Sequence, residues 1–299
     1  MFDTKYNRQN VKMAFMGFIL SVITTAIVCC IWLLTRSFLF DQFITPTESM
    51  MPTLMPGDRI IVDKRIAGAR IYDEFEFNKD GGELVSHRTR GKRNVRPNDI
   101  VVFNFPNHNG KINFVINNVY AKRCIGTPGD TVRIVDGVFK NSNYPDSIGL
   151  LQVQRQLAAI PDSLFHPRQL GAIPRIRYVP WTIKNLGPLY LPRTGDFMKL
   201  TAKEGQIYKM ILEWETGKSI TVDWDSNLVL AEGKPLNSHT FKHGYYFMCG
   251  DNVTNSDDSR YWGLVPEEYI VGVVSHISYS VNPKTKGYRK NRFFKRLAQ

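Results

Sequence analysis

The sequence predicts a mainly β protein, with an N-terminal transmembrane helix followed by an antiparallel β-sheet ectodomain that carries a large inserted subdomain. Three observations predict it. Residues 13–35 contain no charged side chain. From Arg59 onward, short β-branched and aromatic runs recur, separated by Gly, Pro, Asn and Asp, which is the pattern of antiparallel strands joined by turns. Helical periodicity is rare beyond the apolar run, and LLQVQRQLAAI at 150–160 is its best short example.

The N-terminal element comes first. Residues 1–12 carry Lys5, Arg8 and Lys12 against Asp3. At 1.5 Å per residue, a helix over 13–35 reaches roughly 33–35 Å, enough to cross a bilayer with some tilt. A cleaved leader has a shorter apolar core and a small-residue cleavage site. Here TRSFLFDQF follows without an A-x-A pattern, so a retained anchor is expected. The positive flank places residues 1–12 in the cytoplasm, which puts the remainder on the outer, periplasmic side of the inner membrane in a single-pass arrangement.

The strand-like runs are RIIVDKR, DIVVFNF, INFVINNVYAKR, DTVRIVDGVF, SITVDW, NLVLAEG and YIVGVVSHISYSV. Two regions read as insertions: 65–97, which is polar with a basic cluster, and 138–242, which is long and contains prolines. The expected organisation is therefore a cytoplasmic N-terminus at 1–12 and an anchor at 13–35. A β domain follows, made of 41–137 and 243–281, with an inserted subdomain at 138–242 and a basic tail at 282–299.

The formal net charge is +12, with much of the excess in HRTRGKRNVR at 87–96 and KTKGYRKNRFFKR at 284–296. Beside a membrane anchor, phospholipid headgroups are the economical partner for such runs. No nucleic-acid motif accompanies the charge. Of four cysteines, Cys29 and Cys30 lie in the apolar segment. Cys124 and Cys249 are expected as buried free thiols. His239 and His243 stand four apart without a third ligand nearby, so zinc is not expected there.

Three stretches carry chemistry. In PTESMMPTLMPGD at 46–58, Ser49 is bracketed by Pro46, Pro52 and Pro56, which stop a helix and hold the serine in a turn or extended backbone. In YAKRCIGTPGD at 120–130, Lys122 lies on a strand-like run. Strand alternation puts Lys122 and Cys124 on one face and Ala121 and Arg123 on the other. Burial on that face lowers a lysine pKa and frees an amine to act as a base. In GDNVTNSDDSRYWG at 250–263, Asp258 and Arg260 are spaced to pair and Ser256 to bond an amine. This loop is rich in Asp and Asn, but it does not meet the EF-hand spacing.

Together with NDIVVFNFP at 98–106, these blocks resemble the bacterial type I signal peptidases (leader peptidases), a family of Ser–Lys serine peptidases, in the family's order. The strings S-M-M-P-T-L and D-S-R-Y-W-G-x-V-P are distinctive. The resemblance covers the anchor and the four blocks, not the 65–97 and 138–242 insertions. It implies a signal-peptidase-type fold and a membrane-bound endopeptidase that removes signal peptides from exported preproteins. By that resemblance Ser49 is the nucleophile and Lys122 the general base. Thr47 and the Ser49 N–H form the oxyanion hole, and Ser256 orients the lysine. Asp258 and Arg260 form a supporting ion pair, and Phe43, Thr45, Tyr120 and Ala121 line the substrate pocket. Family members often have a small residue where Glu48 stands.

The residue types suit amide cleavage, which needs a nucleophile, a base that returns its proton to the leaving amine, and donors for the oxyanion. One amine here replaces the imidazole and acid of a triad. No histidine occurs in a matching block, and neither metal nor organic cofactor is implied. Two rivals remain at this point: another Ser–Lys peptidase on the same β-scaffold, and an inactive membrane-anchored binding module.

Overall fold

The charge-free run becomes one uninterrupted helix, and its Thr24 and Thr25 hydroxyls are satisfied by the carbonyls one turn back, of Leu20 and Ser21. The computed structural model describes residues 3–74 and 81–297. Parts of the expected cytoplasmic segment (1–2), of the 65–97 insertion (75–80) and of the basic tail (298–299) lie outside the described residues. Helix α1 spans Asp3–Leu34 and continues through a π-helical turn, Thr35–Leu39. Within it, Lys12–Leu39 is long and apolar enough to cross a membrane, and its apolar window is not buried against the protein.

The domain after α1 opens with β1 (Phe40–Ile44) and β2 (Asp58–Asp63), joined by the Ser49 loop. Next come β3 (Ile100–Asn104) and β4 (Val119–Gly126). The hairpin β5 (Thr131–Val135) and β6 (Val138–Asn141) pairs further with β7 (Leu186–Tyr190). Residue 137 thus lies in the turn of a continuous hairpin, so the 138–242 segment enters as an extension of the sheet strand before it. Helix α2 (Leu151–Ala159) occupies the expected 150–160 stretch.

Two helices that the periodicity did not suggest follow, α3 (Ala202–Ile207) and α4 (Lys209–Thr216). Their signal was local. Thr201 and Glu204 form a capping box at the start, and Gly217 ends α4 in a left-handed conformation. After the hairpin β8 (Ile220–Asp223) and β9 (Leu228–Ala231) come β10 (Tyr245–Cys249), the short helix α5 (Ser259–Trp262) and β11 (Val265–Pro266). Strands β12 (Ile270–Ser280) and β13 (Lys295–Arg296) close the chain.

Among the described residues the main sheet has eight strands in the order β1-β2-β12-β3-β4-β10-β11, with β13 also on β12. Every pairing in it is antiparallel. Strand β3 is buried along its whole length, and its alternate residues serve two cores. Val101 and Phe103 join the larger core with Cys124, Tyr245 and Trp262. Ile100 and Val102 join the smaller one with Met50, Leu54, Ile60 and Val274. The run INFVINNVYAKR does not form one strand. It breaks over 113–118 because Asn104 Nδ2 donates to the carbonyls of Val115 and Ile116 and holds them in a turn.

Several of the basic residues assigned to lipid have partners inside the protein. Arg88 donates to the carbonyls of Gly68, Glu267, Glu268 and Ile270. Arg93 grips Asp99 at 2.6 and 2.9 Å. Arg292 is buried and bonds both oxygens of the fully buried Asp58, and its Nη2 reaches the Thr53 carbonyl at 2.8 Å. Arg289 Nη1 donates to the Pro56 carbonyl at 2.9 Å. The tail therefore clamps the C-terminal half of the Ser49 loop, leaving Lys284, Lys286, Lys290, Lys295 and Arg296 exposed. Arg292→Lys keeps the charge and loses the fork, so we expect a stability loss of about 1.5–3 kcal/mol, one charged hydrogen bond. Chemical denaturation checks it, and an unchanged midpoint would show the clamp to be idle.

Candidate active site

The loop carrying Ser49 is held from below by its own apolar residues. Met50 is 1% exposed and Leu54 fully buried, both in the smaller core. Two turns, Met51 N–H to the Glu48 carbonyl and Leu54 N–H to the Met50 carbonyl, lift Ser49 between them. Gly57 closes the loop at φ +91°, and a Cβ there would lie 1.8 Å from the Val281 carbonyl oxygen. Only glycine fits that position.

Lys122 sits mid-way along β4, opposite Val101 of β3. It is 3% exposed. Its Nζ lies 2.7 Å from Ser49 Oγ and 3.1 Å from Ser256 Oγ. Burial lowers the Lys122 pKa below the ordinary lysine value. Asp258 and Asp257 pull it the other way, while Arg260 adds to the lowering. Thr47 Oγ1 stands 3.3 Å from Ser49 Oγ.

The third loop arrives from β10. Its Asn252 N–H donates to the Ser49 carbonyl at 3.0 Å, and Asn252 Nδ2 donates to the Glu48 carbonyl at 3.2 Å. Gly250 makes this approach possible. A side chain on it would meet Ser256 Oγ at 2.2 Å and the Ser49 carbonyl oxygen at 2.4 Å. Asp258 and Arg260 pair as expected, by Nε to Oδ1 and Nη2 to Oδ2 at 2.8 Å each, and both are fully buried. Asp258 is the N-cap of α5 and accepts the Arg260 N–H, so the pair is built on the first turn of a helix. Asp258 Oδ2 also accepts the Gly250 N–H, and Arg260 Nη1 donates to the Val253 carbonyl. The pair thereby ties both ends of the loop that presents Ser256. Despite its burial, Asp258 is held below the usual carboxylate range by Arg260.

A second buried pair escaped the sequence reading. Arg123 Nε and Nη2 each lie 2.7 Å from a carboxylate oxygen of Asp251, and Asp251 also takes the Thr53 hydroxyl. It joins the strand after Lys122, the Ser49 loop and the Ser256 loop in one knot. The register that brings it about places Arg123 opposite Cys249. Cys124 and Cys249 lie on those neighbouring strands as free, buried thiols, and burial pushes both pKa values well up.

Beside the dyad is a cavity of about 390 Å³. All four expected pocket residues, Phe43, Thr45, Tyr120 and Ala121, line it, together with Val102 and Val119. Tyr120 is fixed there by stacking on Phe105 at 4.6 Å. Glu48, Asn255 and Asp257 also line it and were not anticipated as pocket residues. Among the described residues no group of three or more His, Cys, Asp and Glu side chains is placed to hold a metal ion.

A hydroxyl 2.7 Å from a buried amine, beside a cavity of about 390 Å³, is the equipment of an amide hydrolase. The comparisons give its kin. The family model "Signal peptidase, peptidase S26" matches residues 18–147 and 204–279, and the chain belongs to this family of peptidases. It is 31% identical over 268 residues to a signal peptidase I of Buchnera aphidicola subsp. Acyrthosiphon pisum, covering 86% of this chain and 75% of that one. It is 29% identical over 250 residues to that of Pseudomonas aeruginosa, covering 80% and 65%. A solved signal peptidase I from Enterococcus faecalis V583 aligns at 20% identity with a TM-score of 0.29, over 61% of this chain and 97% of that one. Residues 148–203 fall outside the matched segments.

Proposed function

We propose that this chain is a membrane-anchored serine endopeptidase that removes N-terminal signal peptides from exported preproteins, with Ser49 as nucleophile and Lys122 as general base. The observation that carries this reading is the 2.7 Å contact between Ser49 Oγ and a lysine amine that is 3% exposed. The neutral amine accepts the Ser49 proton as Oγ attacks the scissile carbonyl, and later returns it to the leaving amine. Ser256 holds a second position of the amine. Thr47 turns from Ser49 Oγ towards the substrate oxygen and, with the Ser49 N–H, steadies its developing charge. The anchor keeps the site at the membrane surface where signal peptides emerge, with residues 1–12 cytoplasmic and the catalytic domain on the outer side. The exposed lysines of the tail face lipid headgroups.

Incubating the full chain in detergent with a purified preprotein, then sequencing the new N-terminus, tests the proposal. One cut after a small residue is the expected result, and an intact preprotein would overturn it. The cavity wall beside Lys122 includes Ala121, Val102 and Phe43, all apolar. Overlap excludes bulk from such a wall. We therefore expect Ala, and not Leu or Phe, at the residues one and three before the cut. Equal processing of Leu and Ala variants would sink that expectation.

A further inference from the structure

Apart from Lys122, the charged residues lining the cavity are Glu48 and Asp257. The other acids of these loops are matched: Asp251 by Arg123, Asp258 by Arg260, and Asp58 by Arg292. Glu48 and Asp257 are both exposed, and neither carboxylate has an ion pair or hydrogen bond recorded among the described residues. Glu48 is fixed at the rim from two sides, because its carbonyl accepts from Met51 N–H and Asn252 Nδ2. Asp257 stands between Ser256, which touches the Lys122 amine, and the paired Asp258. Lys122 and then Arg175 are the cations that act on it most, and the Arg175 guanidinium lies 5.2 Å over the Tyr261 ring. A protein of net charge +12 thus lines this cavity with two carboxylates against one buried amine. The pocket has a further uncommitted polar group. Thr45 is 6% exposed, lines it, and among the described residues its Oγ1 has no hydrogen-bond partner.

We infer that Glu48 and Asp257 are specificity-determining residues that favour substrates with a cationic side chain just after the cut bond. The inference rests on the peptidase reading. Lys122 returns its proton to the leaving amine, so the leaving segment passes Lys122, and Asp257 flanks that path. Glu48 adjoins the nucleophile on the same rim. An exposed carboxylate facing a cation changes a rate by up to about fivefold. The effect weakens with salt, since exposed charges are screened.

The test uses the full chain in detergent and three peptides that differ only in the residue after the cut: Lys, Gln or Glu. We expect kcat/KM to fall from Lys to Gln to Glu, with a Lys-to-Glu ratio on the order of ten at low salt for the wild type. The ratio should shrink at high salt, drop in Glu48→Gln and in Asp257→Asn, and approach one in the double variant. Equal cleavage of the three peptides by the wild type, or an undiminished ratio in the double variant, overturns the charge selection alone. Cleavage of none of the three overturns the peptidase reading with it.

Discussion

Purified Lys122→Arg protein should cleave no preprotein, although the substitution keeps the positive charge. Arginine stays protonated and has no lone pair to offer Ser49. An ordinary lysine has a pKa of about 10.4, so near pH 8 only roughly 0.4% would be neutral, equivalent to about 3.3 kcal/mol of barrier. Burial of the Lys122 amine reduces that barrier by lowering its pKa. Loss of a general base costs on the order of 10²–10⁴ in rate, and Ser49→Ala should be as severe. Lys122→Met answers the objection that a buried guanidinium unfolds the site: it should be inactive, folded, and equal or higher in melting temperature. The folded state binds fewer protons at Lys122 than the unfolded chain. Stability therefore rises with pH between the folded and unfolded lysine pKa values. The rate per substrate should rise over a limb lying below the ordinary lysine range. Substantial turnover by Lys122→Arg would refute the base assignment.

The second large effect is structural. Arg260→Ala leaves the Asp258 carboxylate fully buried without its cation, a loss of about 3–5 kcal/mol. Each kcal/mol moves the melting temperature by roughly 2–4 °C in a domain of this size. Activity should fall in step, because Asp258 and Arg260 hold Gly250 and Val253 around Ser256. Asp258 has a lowered folded pKa, so its contribution is present above the unfolded carboxylate pKa and lost as pH falls through the folded one. A normal melting temperature with abolished activity would point instead to a direct chemical role.

Short-range patterns were legible. Ser49 among its prolines, Lys122 on its strand and the i, i+2 pair Asp258–Arg260 are each written within a few residues. So were most strands, since period-two burial shows in runs such as TVRIV. Contacts that depend on register were not. Arg123 meets Asp251 only because β4 and β10 pair with Cys249 opposite Arg123, and nothing local marks that offset. Arg88 and Arg292 sit in basic runs that read as lipid-facing, yet Arg88 meets Ile270, 182 residues away, and Arg292 meets Asp58, 234 residues away. Glu48 and Asp257 were visible as residues, but their meeting at one cavity needed the Ser49 and Ser256 loops to be brought together.

The tail clamp has a consequence for biosynthesis. Arg289 and Arg292, which fasten the second half of the Ser49 loop, are made 233 and 234 residues after the loop residues they hold. Chains are made N-terminus first and fold by units as they lengthen. A growing chain therefore already displays its serine while the loop beneath it is unfastened. The support is completed only after the ribosome has passed Arg292.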